Sequence, residues 1–211
     1  MAVKRKILIC QRGRHFLKNK TSSYFKELLN DYDVDIYDDL EIFNNRDFFE
    51  YATTIFFTQF GEFTKEQEKN LLDFVASGKG FLGLHGASAS FKMHPKYYEM
   101  IGGRFLKHKK KINIDIKILD NSHPITADLN NFTFYDEPYR HDFSMKGDMK
   151  VLAEAYYNDE KDPEPEPIIW VKTYGKGRVA FCALGHQAKS LKNQIFRKII
   201  RTSLEWVLEG Q

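Results

Sequence analysis

Cysteine is nearly absent from this sequence: among 211 residues only Cys10 and Cys182 carry a thiol. Each lies inside an apolar run that reads as a strand, so a disulfide framework is excluded and a reducing, cytoplasmic setting is the expectation. Long hydrophobic runs are missing as well. No window approaches the roughly 20 apolar residues that span a bilayer, and Met1 to Lys6 is charged without a following apolar stretch of signal-peptide length. Neither a membrane partner nor a leader is expected. Charge of one sign is scarce, because 32 Lys and Arg against 29 Asp and Glu leave only +3. That bias is too mild to argue for nucleic acid binding without a basic stripe. Proline occurs six times, three of them in the acidic stretch Asn158 to Pro167, which reads as a solvated loop too short to link domains.

Apolar and aromatic residues, by contrast, are plentiful. Hydrophobic residues make up 42% of the chain, with 18 Phe and 11 Tyr, which excludes disorder and supplies a continuous core. One domain over residues 1–211 is the expectation. In the first half short unbroken apolar runs alternate with helical patterns, as strands covered on both faces of a parallel sheet do. Strands are predicted at Lys6 to Cys10, Val34 to Tyr37, Thr54 to Thr58 and Gly80 to Leu84, with a helix over Ser22 to Asn30. A short helix capped by Asn45 is predicted to run through Glu50. Thr64 and Gln67 have capping-box spacing ahead of a helix that Gly78 would stop.

Beyond residue 100, Ile112, Ile114, Ile116 and Ile118 alternate with Asn113, Asp115 and Lys117, the pattern of a strand with one exposed face near a sheet edge. Further strands are predicted at Val151 to Ala155, Ile168 to Val171 and Val179 to Ala183, the last two joined by a hairpin turn at Gly175-Lys176. The final helix covers about Asn193 to Leu208. The fold class is therefore α/β: a mostly parallel central sheet with helices on both faces and an antiparallel extension.

In open parallel sheets ligands bind outside the carboxyl ends of the strands. The residues that follow the strands here are polar: Gln11, Arg12, Arg14 and His15 after the first, Gln59 after the third, His85 after the fourth, and Gly185 and His186 after the last. Three of the seven histidines are thus predicted on one rim. Gly83-Leu84-His85-Gly86 has the form of a nucleophile elbow, a sharp strand-to-helix turn flanked by glycines, but it carries histidine. Neither buried cysteine can replace a nucleophile, and Ser88 and Ser90 show no partnered base. Phe60, Phe63, Tyr135 and Tyr139 near the rim suit stacking on sugar faces and core packing equally.

At this point a resemblance covers nearly the whole chain. Gly80-Phe81-Leu82-Gly83-Leu84-His85-Gly86-Ala87, Ile101-Gly102-Gly103-Arg104-Phe105 with His108, His123-Pro124-Ile125, Asp136-Glu137-Pro138-Tyr139, and Tyr174-Gly175-Lys176-Gly177-Arg178-Val179 with Leu184-Gly185-His186 follow in order. The sequence resembles the ThuA-like (trehalose utilisation) family, whose fold is similar to the flavodoxin-like class I glutamine amidotransferase sandwich but without the cysteine nucleophile. The resemblance implies carbohydrate metabolism and places His15, His85, His108, Glu137 and His186 in a polar cleft.

His85, Glu137 and His186 are accordingly expected to carry catalysis on a sugar or keto-sugar by isomerisation, hydration or hydrolysis. His15, Gln59, His108, Asp136 and Tyr139 are expected to bind the ligand, with Glu137 pointing inward and Asp136 supporting it. The alternative is a non-catalytic sugar-binding or regulatory module on a disabled amidotransferase scaffold. Imidazole with carboxylate admits two uses, a divalent metal such as zinc or metal-free proton transfer, and sequence spacing leaves both open. No nucleotide cofactor is indicated, since Gly175-Lys176-Gly177 joins two strands instead of opening a helix. Self-association is left open. His94 and His141 are expected at the surface, His123-Pro124 in a turn, and Lys107 to Lys111 on a solvated edge.

Overall fold

The computed structural model describes residues 4–13, 18–157 and 163–209. The unbroken apolar runs form the parallel half of a nine-stranded sheet. β1 (Lys6–Arg12) lies between β2 (Asp33–Tyr37) and β3 (Thr53–Thr58), followed by β4 (Gly80–Leu84) and β11 (Gly177–Cys182), all parallel. From β11 the sheet continues antiparallel through β10 (Glu166–Tyr174), β9 (Lys150–Tyr156), β6 (Ile112–Ile118) and β7 (Phe132–Asp136). A separate two-stranded ribbon pairs β5 (Arg104–His108) with β8 (Tyr139–Asp142).

Why β3 reads as an unbroken apolar run is visible in two neighbouring side chains. Phe57 meets Phe25 of α1 (Lys18–Leu28) at a centroid distance of 5.7 Å on one face. Phe56 turns to the other face, where it packs on Phe81 at 5.0 Å and near Tyr97 of α3 (Pro95–Ile101). Strand side chains alternate between faces, so a strand covered on both sides needs apolar residues at every position. α4 (Gln194–Leu208) covers β11, β4 and β3, burying Phe196, Ile199, Ile200, Leu204, Val207 and Leu208. α2 (Lys65–Ala76) begins with the expected capping box, Thr64 Oγ1 accepting from Gln67 N at 3.1 Å while Gln67 Oε1 accepts from Thr64 N at 2.9 Å. Gly78 follows its end with φ +116°. Among the described residues no helix is long and apolar enough to cross a membrane.

Several expectations change. The alternating strand β6 is not at the edge: β9 pairs with it on one side and β7, which the sequence reading leaves unassigned, takes the edge. Its alternation has the expected cause, with Ile114, Ile116 and Ile118 buried and Asn113, Asp115 and Lys117 exposed. Asn45 Oδ1 does accept a hydrogen bond from Asp47 N at 2.9 Å, but only a single 3-10 turn follows, Asp47–Glu50. The helix expected over Ser22 to Asn30 starts at Lys18 and ends at Leu28. α3, β5, β7 and β8 are at most 7 residues long, too short for hydrophobic periodicity to mark them.

Cys10 and Cys182 lie in β1 and β11, both fully enclosed. Burial pushes the Cys182 thiol up to about 12 and the Cys10 thiol higher still. Neither thiolate forms near neutral pH. A thiol reagent at pH 8 should therefore label neither cysteine in the native protein and both in urea; rapid native labelling would contradict the strand assignment.

Candidate functional site

Three chain segments converge at the carboxyl edge of the sheet. The first is the turn after β4, where His85 holds φ +40° and starts a 3-10 segment, His85–Ala89. A non-glycine residue there is strained and persists only where its surroundings fix it. Gly86 is required beside it, because a Cβ at that position would lie 2.4 Å from the backbone oxygen of Thr58. His85 is 1% exposed. Its Nδ1 lies 2.8 Å from the carbonyl oxygen of Ala183; a carbonyl only accepts, so Nδ1 carries the hydrogen and Nε2 faces His186 and Glu137.

The second segment follows β11. Gly185 has φ +110°, with Phe196 packed where a side chain would go, and turns the chain so that His186 Nδ1 lies 3.3 Å from His85 Nε2. The third segment leaves β7. Asp136 is buried, and its carboxylate accepts from Gly185 N at 2.6 Å, His186 N at 3.2 Å and Glu137 N at 2.9 Å. The sheet edge at β7 lies five strands from β4 in the hydrogen-bonded order, yet its end reaches the residues after β11. The antiparallel arm therefore bends back over this rim, packing Phe134 on Phe196 of α4 at 6.0 Å.

Glu137 stands at the centre. Its Oε2 is 3.0 Å from His186 Nδ1 and 3.7 Å from His85 Nε2, and its Oε1 is 3.1 Å from His108 Nδ1. Burial pushes this carboxyl up, but hydrogen bonds and charge from His186 and His85 outweigh it and hold the group well below the usual carboxylate range. It is a carboxylate at neutral pH. Tyr139 lies against His85 with ring centroids 3.9 Å apart and is backed by Phe105 at 4.4 Å. Burial raises its phenol far above the ordinary value, and at 3% exposure the ring supports His85 from within instead of facing a ligand as expected.

The expected residues thus separate. His85, Glu137 and His186 come together, His108 joins them from the exposed end of β5 opposite Tyr139, and Asp136 supports from beneath. Gln59 is buried at the end of β3 beside Gly86. His15 lies outside the described residues. Of the other rim aromatics, Phe60 and Tyr135 are exposed, whereas Phe63 is core, stacked on Phe91 at 3.8 Å.

Two histidines expected at the surface are buried. His94 lies between Glu68, 3.2 Å from its Nδ1, and Glu62, 3.6 Å from its Nε2. His141 has Nδ1 2.7 Å from Glu166 Oε1 and Nε2 3.0 Å from Ser88 Oγ. Ser88 therefore does have a histidine partner, backed in turn by an acid, and the sequence reading missed it. Nothing local marks such a set, since its members come from the elbow turn, β8 and β10. Ser88 is fully enclosed and its hydroxyl also lies 3.1 Å from the His85 carbonyl, so this chain buttresses the elbow and has no access to a substrate. Arg140 adds its guanidinium to Glu166 at 3.3 Å.

Asp136 is the test of how the site is assembled. In Asp136→Ala the buried N–H groups of Gly185 and His186 lose their acceptor, a loss of about 1–3 kcal/mol by the usual penalty for an unsatisfied buried donor, readable as a lower urea midpoint. An unchanged midpoint would show that other contacts hold the loop.

A search of curated proteins returns no match for the sequence. Among solved structures, one described as that of a thua-like protein from Bacteroides uniformis ATCC 8492 aligns with TM-score 0.80 at 20% identity, covering 98% of this chain and 92% of that one. Another, from Parabacteroides merdae ATCC 43184, aligns with TM-score 0.83 at 18% identity, covering 100% and 91%. A β-galactosidase from Rahnella sp. R3 aligns with TM-score 0.66 at 12% identity over 99% of this chain but only 32% of its own. At these identities the likeness is one of fold. The sequence model described as ThuA, trehalose utilisation, matches residues 6–207, nearly the whole chain, and the protein accordingly belongs to the ThuA family.

Proposed function

We propose that the rim at His85, Glu137 and His186 binds a sugar or keto-sugar and moves protons on it, in isomerisation, hydration or hydrolysis. The observation that supports this most is the meeting of three imidazoles on one carboxylate: His85, His186 and His108 all lie within 3.7 Å of Glu137 oxygens. Imidazoles exchange protons near neutral pH, and a carboxylate among them stabilises the charged form of whichever ring takes one. His85, its Nδ1 occupied by Ala183, has only Nε2 with which to accept a proton. His186, its backbone N–H held by Asp136, stays in register with it. The Tyr139 ring, buried between His85 and Phe105, holds the His85 imidazole in place. Membership of a family described by trehalose utilisation favours a carbohydrate over other small polar ligands.

Acyl transfer is not part of this reading, because both thiols are enclosed and Ser88 is sealed beneath the elbow. Replacing His85 by Asn or Glu137 by Gln keeps size and hydrogen bonding but removes proton exchange. Either change should lower turnover of a responsive sugar or keto-sugar about a hundredfold or more, the scale of a lost general acid or base, with the fold retained by circular dichroism. A panel of sugars and keto-sugars followed by chromatography supplies the assay. Turnover by both variants at the wild-type rate would overturn the assignment, and binding without turnover by the wild type would favour a non-catalytic sugar-binding module.

A further inference from the structure

The geometry points to a divalent transition-metal site of the zinc class, formed by His85 Nε2, His186 Nδ1 and Glu137 Oε2. These are the three central donors of the rim site described above, and the inference rests on the reading of that rim as the working site.

The three atoms form a triangle with sides of 3.3, 3.7 and 3.0 Å. The circle through three such points has a radius of about 2.0 Å, which matches zinc–nitrogen and zinc–oxygen bond lengths of about 2.0–2.2 Å. An ion can therefore reach all three donors with no backbone movement, sitting slightly to one side of their plane. Two imidazoles and one carboxylate suit zinc, cobalt or iron better than magnesium or calcium, which prefer oxygen donors throughout. Three protein ligands leave a further position for water or for a substrate hydroxyl or carbonyl oxygen, the arrangement of catalytic rather than structural zinc.

The surroundings fit the same role. A metal-bound imidazole almost always donates its other N–H to a carbonyl or carboxylate, and His85 Nδ1 is set against the Ala183 oxygen at 2.8 Å. A ligating carboxylate is usually held by a second donor, and His108 Nδ1 lies 3.1 Å from the remaining oxygen of Glu137.

The experiment uses zinc alone. Full-length protein stripped with a chelator is dialysed against zinc chloride, bound metal is counted by elemental mass spectrometry, and affinity is measured by competition with a chromophoric chelator. Wild type should bind one equivalent. His186→Ala and Glu137→Gln, each checked for folding by circular dichroism, should each weaken binding about a hundredfold or more, and His108→Ala about ten- to a hundredfold, the range for a group that holds a ligand. His94→Ala, at the separate Glu62 and Glu68 pairing, should leave it unchanged. Cobalt in place of zinc should give visible absorption bands of a low-coordinate site, lost in Glu137→Gln. Less than one-tenth of an equivalent of zinc in the wild type, or equal binding by wild type and both ligand variants, overturns the inference. Failure to bind zinc while a sugar is still turned over removes the metal alone; zinc binding with no sugar bound or turned over removes the carbohydrate reading alone.

Discussion

One buried carboxylate, that of Asp136, joins the two halves of this molecule. It ends β7, at the far edge of the antiparallel arm, and accepts N–H groups from Gly185 and His186, which follow β11 in the parallel half. Burying a charge is expensive unless it is fully hydrogen-bonded, and here three backbone donors satisfy it. Two consequences follow. Glu137, the next residue, is delivered to the rim, and His186 is held where its ring meets His85.

A second buried polar chain supports the elbow from below. Glu166 on β10 holds the ring of His141 and the guanidinium of Arg140, and His141 in turn reaches Ser88, whose hydroxyl lies against the His85 carbonyl. The left-handed backbone at His85 is thus fixed by a side-chain network as well as by the close packing of Gly86 on β3. Trp170 and Phe181, stacked with centroids 4.4 Å apart and nearly parallel, form the apolar layer beside it. Rigid support of this kind is what a site needs if its reactive groups are to keep their geometry when a ligand arrives.

Much of the fold was legible because the local signals agreed with the global arrangement. Phe56 and Phe57 face opposite layers, so an unbroken apolar run truthfully reported a strand covered on both sides. The Thr64 and Gln67 box and the Gly78 stop are local chemistry and fell where the spacing put them. The short elements were illegible, since five to seven residues of β5, β7 or α3 hold too few periods to register. His94 and His141 were misplaced for a different reason: polar residues read as surface until a carboxylate is found to accompany them into the interior, and those carboxylates, Glu68 and Glu166, lie far away in sequence.

The sequence by itself determined the alternation of strand and helix, the parallel core, the glycine-flanked elbow at His85 and the rim position of His186, because each depends on residues within a few positions of one another. The tertiary structure alone decided that Glu137 reaches both imidazoles, that Asp136 ties its loop to theirs, and that Ser88 is sealed while the donors above it face one point. These depend on how an antiparallel arm bends across the sheet, a matter of long-range packing and charge burial that no short window of sequence contains.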